Sequence, residues 1–164
     1  MAGGLEIGVW SLLIAASITD ILWGKIFNAL TFSFILLGLA ARFFSFGPNE
    51  LMQALLAVGA AFLLYFPLYY SKVMAAGDVK LLMAAGAWLS LNNLLQLAGV
   101  TILIGAIVGV FLMVGRRGGL GALKNIADHL QNKAEKKSTR IPFAPAFLCA
   151  FSFLKIAEMR GWTL

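Results

Sequence analysis

Six long apolar runs, at residues 7–23, 29–46, 51–70, 74–91, 94–115 and 141–157, leave little of this chain over for anything else. A helix needs about 20 apolar residues to cross the hydrocarbon layer of a bilayer. Lipid offers the backbone no hydrogen-bond partner, so each segment must satisfy its own N–H and C=O groups, as a helix does. The expected fold is therefore all-α, a polytopic membrane bundle of about six transmembrane helices in a single domain over 1–164. Composition agrees: 61% of residues are hydrophobic and the mean hydropathy is +0.90, more apolar surface than a soluble domain of 164 residues could hide. Glu6 precedes the first run with no early Lys or Arg, so that run lacks the basic start of a signal peptide and is kept as a span.

The charges set the expected orientation. Lys25, Lys72, Lys80, Arg116, Arg117, Lys124, Lys133, Lys136, Lys137 and Arg140 fall on one side of the spans, and only Arg42, Lys155 and Arg160 on the other. Basic residues accumulate in cytoplasmic loops, so both termini are expected outside and the joint at 116–140 is expected to be a basic cytoplasmic segment. Leu120, Leu123, Ile126, Ala127 and Leu130 recur there at helical spacing, compatible with a helix lying in the interface. The positive charge follows membrane topology and shows no basic-aromatic reading surface, so nucleic acid is not an expected partner and the lipid bilayer is. Cys149 stands alone, which excludes an internal disulfide and a cysteine cage; it reads as a small buried residue. His129 has no second nitrogen or sulfur ligand nearby, and no metal or other cofactor is expected. Gly105 and Gly109, four residues apart, permit close helix contact.

Topology then sorts the seven carboxylates. Glu6, Glu50 and Glu158 belong to the outer face, and Asp128 and Glu135 to the basic segment. Asp20, in AASITDILWGKIFN, and Asp78, in MAAGDVKLL, are left at the cytoplasmic edge at similar depth. A carboxylate there must be hydrated, paired or protonated. Two that meet can share a proton, so that one deprotonates water while the other polarises a peptide carbonyl. Gly77, before Asp78, would let a substrate backbone come close and tolerates unusual dihedrals. The same residues allow another account, in which Asp20 and Asp78 neutralise Lys25 and Lys80 and only mark helix ends.

Three stretches separate these accounts. TDILWGKIFN, AAGDVKLLMAAG and RIPFAPAF resemble, in order, the segments that carry the prepilin peptidase family, membrane aspartic peptidases with a GxGD motif, and especially the short forms serving Tad/Flp-type pili. The resemblance implies Asp20 and Asp78 as the catalytic pair, with Gly77, Ala75, Asn28, Lys25 and Lys80 binding substrate or shaping the site. It further implies cleavage of the basic leader of prepilins at the cytoplasmic face of the bacterial inner membrane. The long family members add a domain with paired cysteines and methylate the new N-terminus; with Cys149 alone, peptidase activity without methylation is expected. Two positions depart from the family pattern: Ala75 stands for the first glycine of GxGD, a small-for-small change expected to preserve close packing, and Phe27 for the proline of Ile-Pro-Asn, which removes a backbone constraint.

Two other functions compete. A small proton-coupled transporter would use membrane carboxylates as a relay, and would be expected to show inverted repeats and acids nearer the midplane. A noncatalytic subunit of a pilus or secretion assembly would use them only for pairing.

Overall fold

A computed structural model describes residues 2–72, 74–116 and 143–161. Among them the chain is helical: α1 Ala2–Trp23, α2 Asn28–Phe46, α3 Pro48–Tyr70, α4 Ala76–Gly86, α5 Leu91–Arg116 and α6 Ala144–Met159. The basic segment, with His129, Asp128 and Glu135, lies outside the described residues, and so do the surroundings of Gly109.

The joints follow from local chemistry. Gly47 ends α2 at φ 89°, where a side chain would strain the backbone, and its N–H bonds the Phe43 carbonyl at 3.0 Å. Pro48 then starts α3 at a position whose N–H has no helical partner to lose. Gly24, at φ 60°, turns the chain out of α1 in the same way. Lys72 closes α3 from the left-handed region at φ 59°, with its N–H on the Tyr69 carbonyl.

Among the described residues four helices are long and apolar enough to cross a membrane: Gly4–Trp23, Asn28–Phe46, Pro48–Tyr70 and Leu91–Val108. Their outward faces carry large exposed side chains such as Leu36, Phe44, Leu63 and Leu103. Such a surface suits lipid.

The fourth run is not a full span. Its helix, α4, has 11 residues, roughly 16 Å at 1.5 Å per residue, against about 30 Å of hydrocarbon. Seven of those residues are buried, from Asp78 to Gly86, so its apolar length serves protein packing on nearly all sides. α4 packs chiefly on α3 and α2, and α6 on α1 and α5. The end of α4 is locked in place by Trp88, whose indole N–H donates to the Phe34 carbonyl at 2.9 Å and whose ring lies where Gly8 and Gly38 lack side chains. Gly105 likewise makes room for the Phe143 ring, as its spacing predicts.

Charges segregate to the two ends of the bundle. At one end Arg42, 5% exposed, reaches Glu50 at 2.8 Å and the Trp88 carbonyl at 3.1 Å, while Lys155 bridges Glu6 and Glu158 at 2.7 Å each. These are residues assigned from the sequence to one face. Cys149 departs from expectation: it is exposed on the outward side of α6, where an apolar thiol meets no unfavourable contact in lipid.

Candidate active site

At the opposite end of the bundle the last turn of α1 and the first turns of α4 and α6 converge. Asp20 is 8% exposed and Asp78 5%. Their carboxyl groups are close enough for the charge of one to act on the other. Each is held by the start of a helix. Asp20 Oδ2 accepts the Ala144 N–H at 3.0 Å, an otherwise orphan donor at the head of α6. Asp78 Oδ2 accepts the N–H of Ala75, three residues back, at 3.2 Å, half of a capping box in which the side chain at the third helical position reaches back to the cap. Negative charge is favoured at both places by the helix dipole.

No cation pairs with either aspartate among the described residues. Lys80 turns instead to Asn28, its Nζ donating to Oδ1 at 2.9 Å, and lies over the Phe32 ring at 5.9 Å. Lys25 is exposed and takes no part in an ion pair among the described residues. The charge-neutralising account of Asp20 and Asp78 therefore loses both of its lysines.

Asp78 shares one face of α4 with Leu81, Leu82 and Ala85, all fully buried. On the opposite face Ala76, Val79, Lys80 and Met83 line an apolar groove of about 360 Å³ completed by α2 and α3. The two faces follow from a period of 3.6 residues. Neither aspartate lines the groove, and Lys80 is its only charged residue among those described.

The remaining site residues behave differently from their sequence patterns. Gly77 sits in helical backbone without a positive φ, so unusual dihedrals are not its reason; a Cβ there would meet Ile26 at 3.4 Å, ordinary contact distance. Ala75 is exposed, and close packing is not what its side chain provides; its contribution is the backbone N–H. Phe27 holds φ −70° and ψ 133° as the residue capping α2. A proline ring would fix nearly the same φ. The backbone at Phe27 is therefore one that proline could also adopt.

Two polar residues near the aspartates escape the motif reading. Tyr65, fully buried in α3, donates to the Ala98 carbonyl at 3.1 Å and interacts electrostatically with Asp78. Its sequence signal is faint: a tyrosine inside a span rather than at its end, where Tyr69 and Tyr70 lie. Ser17 is buried one helical turn before Asp20. Serine in a span is usually silent.

The type IV leader peptidase family model matches residues 7–110. The chain belongs to this family. Its matched part contains both aspartates, Asn28 and Lys80, while α6, whose head holds Asp20, follows it. No curated protein and no solved structure matches the chain. Membership makes the chain a membrane-embedded peptidase.

Proposed function

We propose that the chain is an aspartic endopeptidase that removes the basic leader of prepilins of the Tad/Flp kind, acting at the cytoplasmic face of the bacterial inner membrane. The observation that carries this is the pairing of Asp20 and Asp78: two buried carboxyl groups from different helices, electrostatically coupled, with no cation on either among the described residues.

One carboxylate takes a proton from water as the oxygen attacks the peptide carbonyl, and the other, protonated, donates toward the carbonyl oxygen. The tetrahedral centre collapses with cleavage of the C–N bond, a proton passing to the leaving nitrogen. One water and one peptide become a carboxylic acid and an amine, and the aspartates end with their protons restored. Two carboxyl groups that meet favour the singly protonated pair this scheme needs. A backbone donor on one oxygen of each aspartate leaves the other oxygen for water or substrate.

The separation of charges supports the placement. Lys25 and Lys80 lie with the aspartates, whereas Glu6, Glu50 and Glu158 pair at the far end. A basic-rich end belongs on the cytoplasmic side. Lys80 and Asn28, joined across α4 and α2 beside the apolar groove, are suited to shaping the approach of a substrate whose scissile bond precedes an apolar helix.

The test is cleavage of a prepilin-type substrate, a short basic leader followed by an apolar helix, by the purified protein in proteoliposomes. Asp20→Asn, Asp78→Asn and the double variant are expected to lose about 10²–10⁴ in rate to nearly the same extent, since neither aspartate completes the couple alone. A well-inserted single variant that cleaves at the wild-type rate would sink the mechanism. A transporter or a pairing subunit predicts no cleavage by the wild type at all.

A further inference from the structure

Helices α1 and α6 run antiparallel and pack on each other. Among the described residues two polar links join them, one at each end. At the site Asp20 Oδ2 accepts the Ala144 N–H at 3.0 Å. At the opposite end of the bundle Lys155 Nζ donates to Glu6 Oε1 at 2.7 Å. Between the two, the Trp10 ring meets Phe151 edge to face with centroids 4.9 Å apart.

The spacing makes these contacts rungs of one ladder. Glu6 and Asp20 are 14 positions apart on α1, about four turns and about 21 Å, and Ala144 and Lys155 are 11 apart on α6, about three turns and about 16 Å. Near-whole numbers of turns put both links on one face of each helix. The roughly 5 Å by which the spans differ is within reach of the four-carbon stem of lysine. Trp10 stands one turn after Glu6, and Phe151 one turn before Lys155.

Neutralising Lys155 does not require Glu6. The lysine side chain, 19% exposed, lies over the Phe151 ring at 6.0 Å and meets Glu158, one turn on in its own helix, at 2.7 Å. What Glu6 adds is a link to the other helix. Such a link has work to do here, because α6, at 16 residues, is not among the four candidate spans and the hydrocarbon thickness does not fix its depth. Phe143, seated beside Gly105, holds the head of α6 to α5 rather than to α1. Apolar contact is non-directional and leaves sliding along α1 open; a paired charge specifies register.

We infer that Glu6 and Lys155 are positioning residues for the peptidase reaction: their ion pair sets the register of α6 along α1, and with it the place of the Ala144 N–H at Asp20 on the other side of the membrane. The inference rests on the peptidase reading above and names the residues that hold a donor of one aspartate in place. Partly exposed ion pairs contribute little to stability. A misplacement of about 1 Å at a reacting group costs up to about a hundredfold in rate. The pair is therefore expected to show in turnover far more than in melting.

The experiment compares the full wild-type chain, in proteoliposomes with the prepilin-type substrate, with Glu6→Gln, Lys155→Met, their double variant, Glu158→Gln and Lys155→Arg. Glu6→Gln and Lys155→Met are each expected to lower kcat about five- to fiftyfold, with KM within about twofold. The double variant should lose no more than the worse single, since both remove the same link. Glu158→Gln, which leaves the cross-helix pair, and Lys155→Arg, which keeps the charge, should stay within about threefold of wild type. A wild-type kcat in Glu6→Gln or in Lys155→Met, losses that add in the double variant, or an equal loss in Glu158→Gln overturns the inference and leaves the peptidase reading standing. A wild type that cleaves nothing overturns that reading instead, and register is then followed without turnover. The infrared carboxyl absorption that Asp20→Asn removes should shift in Lys155→Met and not in Glu158→Gln; a band unmoved in Lys155→Met overturns the inference by itself.

Discussion

Phe27→Pro puts back the residue that the family pattern has after the first span, and the structure lets its effect be worked out in parts. The backbone at Phe27 already has φ −70° and ψ 133°, and its N–H donates no hydrogen bond among the described residues. Proline in such a place stabilises by about 0.4–1 kcal/mol, because the unfolded chain loses freedom that the folded chain does not use. Against this stands the lost Phe27 ring, which meets Trp23 edge to face with centroids 5.7 Å apart. Aromatic pairs contribute about 0.5–1.5 kcal/mol, and this one, with both rings largely exposed, belongs at the low end. The two nearly cancel. Phe27→Gly serves as the control, since it removes the same ring while adding backbone freedom, at a cost of about 0.5–1 kcal/mol. The proline variant should therefore exceed the glycine variant by about 1–2 kcal/mol, roughly 2–4 °C in thermal midpoint for each kcal/mol in a chain of this size. Thermal unfolding in detergent measures the difference, and the cleavage assay follows the site. A proline variant that melts below the glycine variant, or one that folds but cleaves no substrate, would refute the claim that Phe27 keeps the loop in a shape proline can adopt.

Asp78→Ala removes the cap on the Ala75 N–H and should lower stability by about 0.5–1.5 kcal/mol, whereas Asp78→Asn retains an acceptor oxygen and should melt close to wild type while being equally inactive; circular dichroism melts beside the cleavage assay separate the two roles. Gly38→Ala would bring a Cβ to 2.7 Å from Trp88 Nε1 and 2.9 Å from the Ala87 Cβ, so it should destabilise by about 1–3 kcal/mol through overpacking, visible as a lower melting midpoint and a changed tryptophan fluorescence. Lys72→Gly relieves a left-handed residue at φ 59° and should raise stability by roughly 1 kcal/mol, read from the same melts with cleavage unchanged.

The legible part of the fold was whatever lipid dictates. Apolar runs located every helix among the described residues, because each run in lipid must satisfy its own backbone and so announces itself in composition. The length of α4 was not legible in the same way. A run of 18 residues at 74–91 looks like a span whether lipid or protein surrounds it, and the turn after Gly86 is made by Ala87, Trp88 and Leu89, none of which signals a helix end. Cys149 was misread for a related reason: in a membrane protein an apolar residue says nothing about facing inward or outward. The site divides along similar lines. Asp20, Asp78 and Lys80 were visible as polar exceptions in apolar runs and Asn28 only through the family resemblance; the structure joins Lys80 to Asn28 and sets Asp20 near Asp78. What each bonds to was hidden, because the partners are backbone groups whose identity no side chain records. Ala75 and Ala144 enter the site only through their N–H groups.

Those two N–H groups also explain why the bundle uses short helices where it does. A helix that crosses the bilayer has its ends placed by the thickness of the hydrocarbon. Among the described helices α4 and α6, at 11 and 16 residues, are the two absent from the four candidate spans, and they are the two whose first turns hold the carboxylates. Packing on α1, α2, α3 and α5 sets their depth instead. A first turn placed by packing can be brought to a carboxylate at the level where the last turn of α1 carries Asp20, and the unpaired donors of a helix start are what an acid buried there needs. The price is an end of α4 that stops inside the protein, and Arg42 meets it by donating to the Trp88 carbonyl from the far side of the bundle. The residues that end α4 are thus part of what positions Asp78 at its start.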